Sequence, residues 1–346
     1  MSLIKDLIKS KKLLQFFNHN LALFGFFHVF ISYLLGIDGL LFLKNALFIF
    51  SSFFLLGCFG YILNDFFDEN QDAISDKYNI TASWRKELKI FSLIFFSFFG
   101  IFVLGIYVND CIPFLVLQVV LLLLYSAPQI RLKERGFIGV LFDALYAYVN
   151  PAFILLVFLD NFSKVSLFIY IILPLMYFFI GLKNIFQHQL DDLINDLKSG
   201  VKTFAHSHAI FSKKAVTLSI GLSLFSWFLF MIFVLKSFFT LTNILIALIP
   251  FLMAVIRFLM AIIKNNPNKL SGIPEFHVLF FGFFILWIHF IINKELYYLV
   301  SSGFLLLPVM YKPLIPLYYH FKYVAGVLLG HIKHYLFKLV KFFKLQ

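Results

Sequence analysis

Apolar residues fall in long runs separated by short polar stretches, and the length of those runs gives the first reading of the chain. A helix needs about 17 to 25 residues to cross roughly 30 Å of hydrocarbon. Nine runs approach or reach that length, at residues 21–37, 46–63, 90–108, 112–126, 137–159, 165–186, 215–235, 241–263 and 276–292. A tenth, 296–311, is shorter and holds Pro308, so it can span, tilt or re-enter. The runs predict an all-α polytopic membrane bundle with nine core transmembrane helices and a tenth C-terminal segment. No Ser/Gly-rich linker or low-complexity tract divides the chain. It reads as an N-terminal segment (1–20), one membrane domain (21–311) and a basic tail (312–346).

Composition agrees with this pattern. The 346 residues are 62% hydrophobic and only 13% charged, against about 25% charged in soluble domains. The 51 Phe residues read as ordinary lipid-facing residues. Cys58 and Cys111 lie in or beside apolar runs, so no disulfide framework or zinc spacing is present. Lys5, Lys9, Lys11 and Lys12 precede the first run as in a signal peptide, but no small-residue cleavage site follows, and the run reads as a retained helix.

Charge sets the orientation. The N-terminus and the loops after runs two, four, six and eight hold 17 Lys and Arg, whereas the opposite loops hold only Lys44, Lys164 and Lys236. By the positive-inside rule the N-terminus and both acidic clusters (65–76 and 191–196) of this integral protein of the cell inner membrane face the cytoplasm. The tail carries six more lysines in a basic amphipathic pattern suited to an anionic leaflet. The net charge of +12 is thus spread along membrane flanks, which argues against a nucleic-acid partner.

Eight of the seventeen acids are concentrated in two places, 65–76 and 191–196, each directly after an apolar run. Carboxylates crowded at a bilayer edge repel one another and cost desolvation, so they call for cations. If each cluster continues its helix, Asn64, Asp68 and Asp72 recur every four residues and share a face, with Asp65 one helical step from Asp68. His188, Asp192 and Asp196 repeat the spacing. Asn64 and Asp192 are 128 residues and four helices apart, which suggests two facing halves with both clusters at the mouth of one cavity. All-oxygen donors of this kind suit Mg²⁺ or Mn²⁺ together with a diphosphate. A few polar residues lie inside the runs, among them His28, Gln118, Asp143, Asn150, Lys183 and Asn184, and such residues face a bundle interior rather than lipid.

Four segments in order resemble the UbiA superfamily of intramembrane prenyltransferases. Asn64 to Asp72 fits its Asn-Asp-x-x-Asp-x-x-x-Asp motif, and Asp192 to Asp196 its Asp-x-x-x-Asp motif. Tyr125-Ser-Ala-Pro-Gln-Ile-Arg-Leu-Lys133 is similar to its Tyr-Ser-x-Pro-x-x-Arg-Leu-Lys segment, and Asp196 to Thr203 to its Asp-x-x-x-Gly-x-x-Thr continuation. The resemblance covers residues 21–235. It implies a helical bundle around a central cavity, in which Asn64, Asp65, Asp68, Asp72, Asp192 and Asp196 hold Mg²⁺ against an isoprenoid diphosphate. Asp68 and Asp192 are then central to catalysis. Lys77, Arg131, Lys133, Lys198 and Lys202 are candidates to complete the diphosphate clamp. Tyr125 is the aromatic candidate for shielding an allylic cation.

The chain departs from the family in two places that bear on the acceptor. Where many members read Asn-x-x-x-Arg-Pro, this chain reads Ala73-Ile-Ser-Asp-Lys-Tyr-Asn79. The second motif is preceded by Phe186-Gln-His-Gln-Leu190, in which His188 is a candidate base, supporting partner or surface residue. Three functions remain open: prenyl transfer to a lipid-soluble acceptor, phosphoribosyl transfer to a polyprenyl phosphate, and transport. Acids at one face rather than at the midplane argue against transport.

Overall fold

The computed structural model describes residues 39–237 continuously, with positions 24, 27, 28, 31, 32, 35–37, 251, 252, 255, 256, 258, 259, 262 and 263. The expected ninth and tenth segments, the N-terminal segment and the basic tail lie outside the described residues, as does most of the first and eighth runs. The described residues form helices joined by short loops, without a strand: α1 (Gly39–Phe67), α2 (Glu69–Ile74), α3 (Lys86–Tyr107), α4 (Ile112–Ser126), α5 (Phe137–Ala144), α6 (Asn150–Asp160), α7 (Leu167–Asp191), α8 (Leu193–Ser199) and α9 (Phe204–Ser237). A π-turn, Leu145–Val149, joins α5 to α6 into one apolar rod. Six of these stretches are long and apolar enough to cross a membrane, ending with Phe204–Phe233.

The observed spans match the apolar runs, and at the start of α1 a contact explains the extra length. α1 begins at Gly39 rather than 46 because Tyr107, at the end of α3, accommodates both polar residues that interrupt the run. Its hydroxyl donates to Asn45 Oδ1 at 2.9 Å, and Lys44 Nζ lies 4.4 Å from its ring centroid. α9 begins at Phe204, well before the apolar run, with a kink at His208 (φ −131°, ψ 43°), and carries exposed His206, Ser207, Lys213 and Lys214 on its polar first turns.

α1 packs on α3 and α4, while α7 packs along α9 and across the α5–α6 rod. Lipid tails are as apolar as these side chains, so close packing rather than water exclusion holds such helices together. Small residues permit the approach. A Cβ on Gly181 of α7 would stand 2.9 Å from Tyr148 Cδ2 and 3.0 Å from Ala144 Cα, so only glycine allows the rod this close. Phe27, Phe158 and Tyr177 are fully buried in the central core, whereas Phe91, Ile94 and Phe98 of α3 face outward as expected against lipid.

Candidate functional site

The two acidic motifs adopt the same backbone. α1 bends at Asp68 (φ −100°, ψ 6°) and α7 at Asp192 (φ −88°, ψ −1°), yet the helical bonds continue through each bend. The Asp68 and Asp72 amides donate to the Asn64 and Asp68 carbonyls at 2.9 and 2.8 Å, and those of Asp192 and Asp196 to His188 and Asp192 at 2.9 and 2.9 Å. Each short helix then closes on a left-handed residue, Asp76 (φ 55°) or Gly200 (φ 71°). The next amide reaches back five residues, Lys77 to Asp72 at 2.9 Å and Val201 to Asp196 at 3.0 Å. Finally a polar side chain returns to the last acid: Asn79 Nδ2 donates to Asp72 Oδ2 at 2.8 Å, and Thr203 Oγ1 to Asp196 Oδ2 at 3.1 Å. The pairs 68 and 192, 72 and 196, 76 and 200, and 79 and 203 share one offset of 124 residues. Asn64 therefore corresponds to His188, and not to Asp192 as their place in the motifs suggests.

Both motifs open on one cavity of about 600 Å³. Asn64, Asp68, Asp72, Asp192 and Asp196 line it, with Lys77, Arg131, Lys133, Tyr125 and His188. The basic groups lie against the acids. Arg131 Nη2 is 3.0 Å from Asp68 Oδ1, and Lys133 Nζ binds Asp68 Oδ2 and lies 3.2 Å from Asn64 Oδ1. Arg131 also binds Glu134 through Nε, and its backbone is left-handed, with φ 43°. Lys77 Nζ crosses to Asp192 Oδ2 at 2.8 Å, and His188 Nε2 lies 3.8 Å from the same oxygen. Burial pushes the Lys133 ammonium below its ordinary pKa, opposed by the Asp68 charge. Burial likewise raises the Asp196 carboxyl, opposed by the Thr203 hydrogen bond and by Lys77.

Three sequence candidates lie elsewhere. Asp65 is fully buried and absent from the cavity wall; its Oδ2 accepts the Ile80 amide at 2.9 Å and its carbonyl accepts Asn79 Nδ2 at 2.7 Å. It pins the loop that carries Lys77 and Asn79. Lys198 and Lys202 are exposed and do not line the cavity. Lys198 is two residues past Asp196, about 200° around the helix, and so points away from it.

The donor set suits a hard divalent cation: four carboxylates and an amide oxygen from two facing turns. Among the described residues no three His, Cys, Asp or Glu side chains form a ready-made cage. Lysine and arginine instead hold oxygens of Asn64, Asp68 and Asp192, and Asn79 and Thr203 hold those of Asp72 and Asp196. Mg²⁺ binds through one or two carboxylates plus water and phosphate oxygens rather than a complete protein cage, so the residues fit an ion that arrives with a diphosphate.

The inner wall holds residues that motif reading passed over. Asp143, Tyr146, Tyr61 and Tyr148 line it together with Gln118 and Asn184. Tyr146 donates to Asp143 Oδ1 at 2.6 Å, and its ring is 4.9 Å from that of Tyr125. Gln118 Nε2 donates to the Tyr146 carbonyl at 2.8 Å, and Asn150 Nδ2 donates to Gln118 Oε1 at 2.8 Å. Asn184 Nδ2 donates to Tyr148 Oη at 2.6 Å. Asp143, Gln118 and Asn184 stood out in the sequence as polar residues in apolar spans. The π-turn that gathers Tyr146 and Tyr148 beside them had no signal there, although such turns concentrate at functional sites.

The architecture has solved counterparts. A structure of a UbiA homolog from Archaeoglobus fulgidus bound to DMAPP and Mg²⁺ matches with a TM-score of 0.56 at 16% identity, covering 80% of this chain and 98% of that one. The same homolog bound to GPP and Mg²⁺ matches at 0.56 and 17%, with the same coverage. A structure of digeranylgeranylglyceryl phosphate synthase matches at 0.56 and 18%, again with 80% and 98% covered. At these identities the likeness establishes the fold. No curated protein matches the chain in sequence. Residues 25–271, most of the chain, match the UbiA prenyltransferase family, and the chain belongs to that family.

Proposed function

We propose that this chain, with Mg²⁺, transfers a prenyl group within the membrane from an isoprenoid diphosphate to a lipid-soluble acceptor and releases diphosphate. The observation that carries the reading is the convergence of two acidic turns and three basic side chains on one mouth of a cavity whose inner wall is largely apolar and aromatic. The solved counterparts bound to DMAPP or GPP with Mg²⁺ support the donor class.

Asn64, Asp68, Asp72, Asp192 and Asp196 would hold the metal. When bound, it supplies Lewis-acid neutralisation of the charge that develops on departing diphosphate. The remaining work falls to the chain. Arg131, Lys133 and Lys77 already point into the mouth, and their donors can turn from the carboxylates to diphosphate oxygens with little motion. Thr203 and Asn79 hold Asp196 and Asp72 in place. Tyr125 and Tyr146 present aromatic faces where an allylic cation forms, and the apolar wall excludes water that would quench it. The positive-inside count supports placing this mouth at the cytoplasmic face of the membrane.

The test is purified protein with Mg²⁺ and either labelled geranylgeranyl diphosphate or labelled phosphoribosyl diphosphate, each with a membrane lipid extract. Transfer from the prenyl donor alone is expected. Transfer from the phosphoribosyl donor alone would replace this reading with phosphoribosyl transfer, and transfer from neither would reject both.

A further inference from the structure

Asp143 is a carboxylate on the inner wall of the cavity that the metal and diphosphate groups leave unused. Three features show that its place is built. Tyr146 donates to Oδ1 at 2.6 Å, and Tyr125, its ring 4.9 Å from that of Tyr146, lines the same wall and brings a second hydroxyl. The π-turn that sets Tyr146 is locked from behind, since Gln118 bonds the Tyr146 carbonyl at 2.8 Å and Asn150 bonds Gln118 at 2.8 Å. Asn150 also donates to the Phe114 carbonyl at 3.0 Å, tying the turn to α4. A carboxylate has about four lone-pair sites, so two tyrosines leave room for a third donor from the cavity.

An acidic group at this depth discriminates between acceptors. A phosphate or carboxylate beside it would meet like-charge repulsion in a low-dielectric wall. A neutral hydroxyl would find a hydrogen-bond acceptor and a proton acceptor in one group. Resting on the prenyl-transfer reading, we propose that Asp143 receives the proton of a neutral hydroxyl-bearing acceptor, an alcohol or phenol, positioned by Tyr146 and Tyr125. The bond from the allylic carbon to the diphosphate oxygen breaks, and its electron pair leaves on diphosphate. The acceptor's hydroxyl oxygen supplies the pair for the new bond to that carbon, and its proton passes to the Asp143 carboxylate.

The experiment uses full-length protein in nanodiscs with Mg²⁺, labelled geranylgeranyl diphosphate and a lipid extract of the source cells, untreated or acetylated to block hydroxyls. Wild type is expected to label a lipid in the untreated extract and none in the acetylated one. Asp143→Asn is expected to lose about a hundredfold in product rate, while binding of a non-reactive thiodiphosphate analogue of the donor stays at the wild-type level. Equal labelling of the acetylated extract, a phosphate-linked product, or an Asp143→Asn rate within about threefold of wild type would each overturn the proposal and leave prenyl transfer standing. The acetylation arm needs no variant, so misfolding of Asp143→Asn cannot rescue it. Absence of labelled product from wild type in the untreated extract would reject prenyl transfer itself, and this assignment with it.

Discussion

Lys77, on the loop that returns from the first acidic turn, reaches 2.8 Å to Asp192 at the bend of the second. The ion pair spans 115 residues of sequence and joins the two halves of the mouth. Both side chains remain about a third exposed, at 35% and 27%, so the pair is worth only about 0–1 kcal/mol in stability. Its importance lies in what Lys77 occupies: the oxygen that a metal and diphosphate would need. Lys77→Met should therefore leave the melting temperature nearly unchanged and weaken donor-analogue binding about tenfold, the loss of one charge-assisted hydrogen bond. Calorimetry and titration with a thiodiphosphate analogue check both. Unchanged analogue binding would restrict Lys77 to pairing with Asp192 in the empty site.

Asp68 and Asp192 occupy equivalent bends but should respond differently to truncation. Asp68 is the anion for both Arg131 and Lys133, and all three side chains are 12% exposed. Asp68→Ala leaves the nearly buried Lys133 without its carboxylate and Arg131 with Glu134 alone, and breaking a buried pair costs about 3–5 kcal/mol. Asp192→Ala releases a single lysine, Lys77, that is already about a third exposed. Turnover should fall by at least about a hundredfold in both, as expected for losing electrostatic stabilisation of the leaving group. Only Asp68→Ala should also lower the unfolding temperature appreciably. Equal thermal stability of the two would show that the Arg131 and Lys133 charges are relieved elsewhere.

The fold was largely legible in the sequence, and the motifs located the cavity mouth, because long apolar runs and four-residue acidic spacing are both local signals. The errors arose where a tertiary contact decides. The 46–63 run stopped short at Lys44 and Asn45, which Tyr107 from another helix makes tolerable. Spacing placed Asp65 with the acids of the mouth, whereas burial turns it to the Ile80 amide. The repeat was visible, and the four-residue spacing already set Asn64, Asp68 and Asp72 against His188, Asp192 and Asp196, but the shared backbone was not. Nothing in residues 188–203 says that the chain bends at Asp192 and reverses at Gly200 as residues 68–76 do. Asp143 could be suspected as a polar residue in a span. Its role could not, because the π-turn that brings Tyr146 to it follows from Gln118 and Asn150 acting on backbone groups across two helices.

Asn79 ties the first loop together. Its Nδ2 bonds Asp72 Oδ2 at 2.8 Å and the Asp65 carbonyl at 2.7 Å, while its Oδ1 accepts from the Thr81 amide and hydroxyl at 2.9 and 2.9 Å. Thr203, its counterpart, makes one such bond, to Asp196. Asn79→Ala should accordingly raise hydrogen exchange across residues 77–81 and weaken Mg²⁺-dependent binding of the donor analogue. Thr203→Val should do less on both counts. Exchange measured by mass spectrometry on the two variants compares them directly, and an equal or larger effect of Thr203→Val would contradict the hydrogen-bond assignment.

Gln118 offers the cleanest separation of shape from charge in the inner wall. It carries no charge, yet it donates to the Tyr146 carbonyl and accepts from Asn150. A π-turn leaves backbone carbonyls without their helical partners, and an unmet buried carbonyl costs about 1–3 kcal/mol. Gln118→Leu is close in size and removes both bonds, so it should destabilise the protein by about that amount and let Leu145–Val149 relax toward an ordinary α-helix. Relaxation would rotate Tyr146 away from Asp143 without touching the metal-binding turns. Donor-analogue binding should then stay near wild type while the rate of product formation falls. Gln118→Glu keeps an acceptor for Asn150 but loses the donor to Tyr146, and it should reproduce the rate defect. A wild-type rate in Gln118→Glu would mean that the turn is held by packing alone, with Gly181 and Tyr148 as the contact to test next.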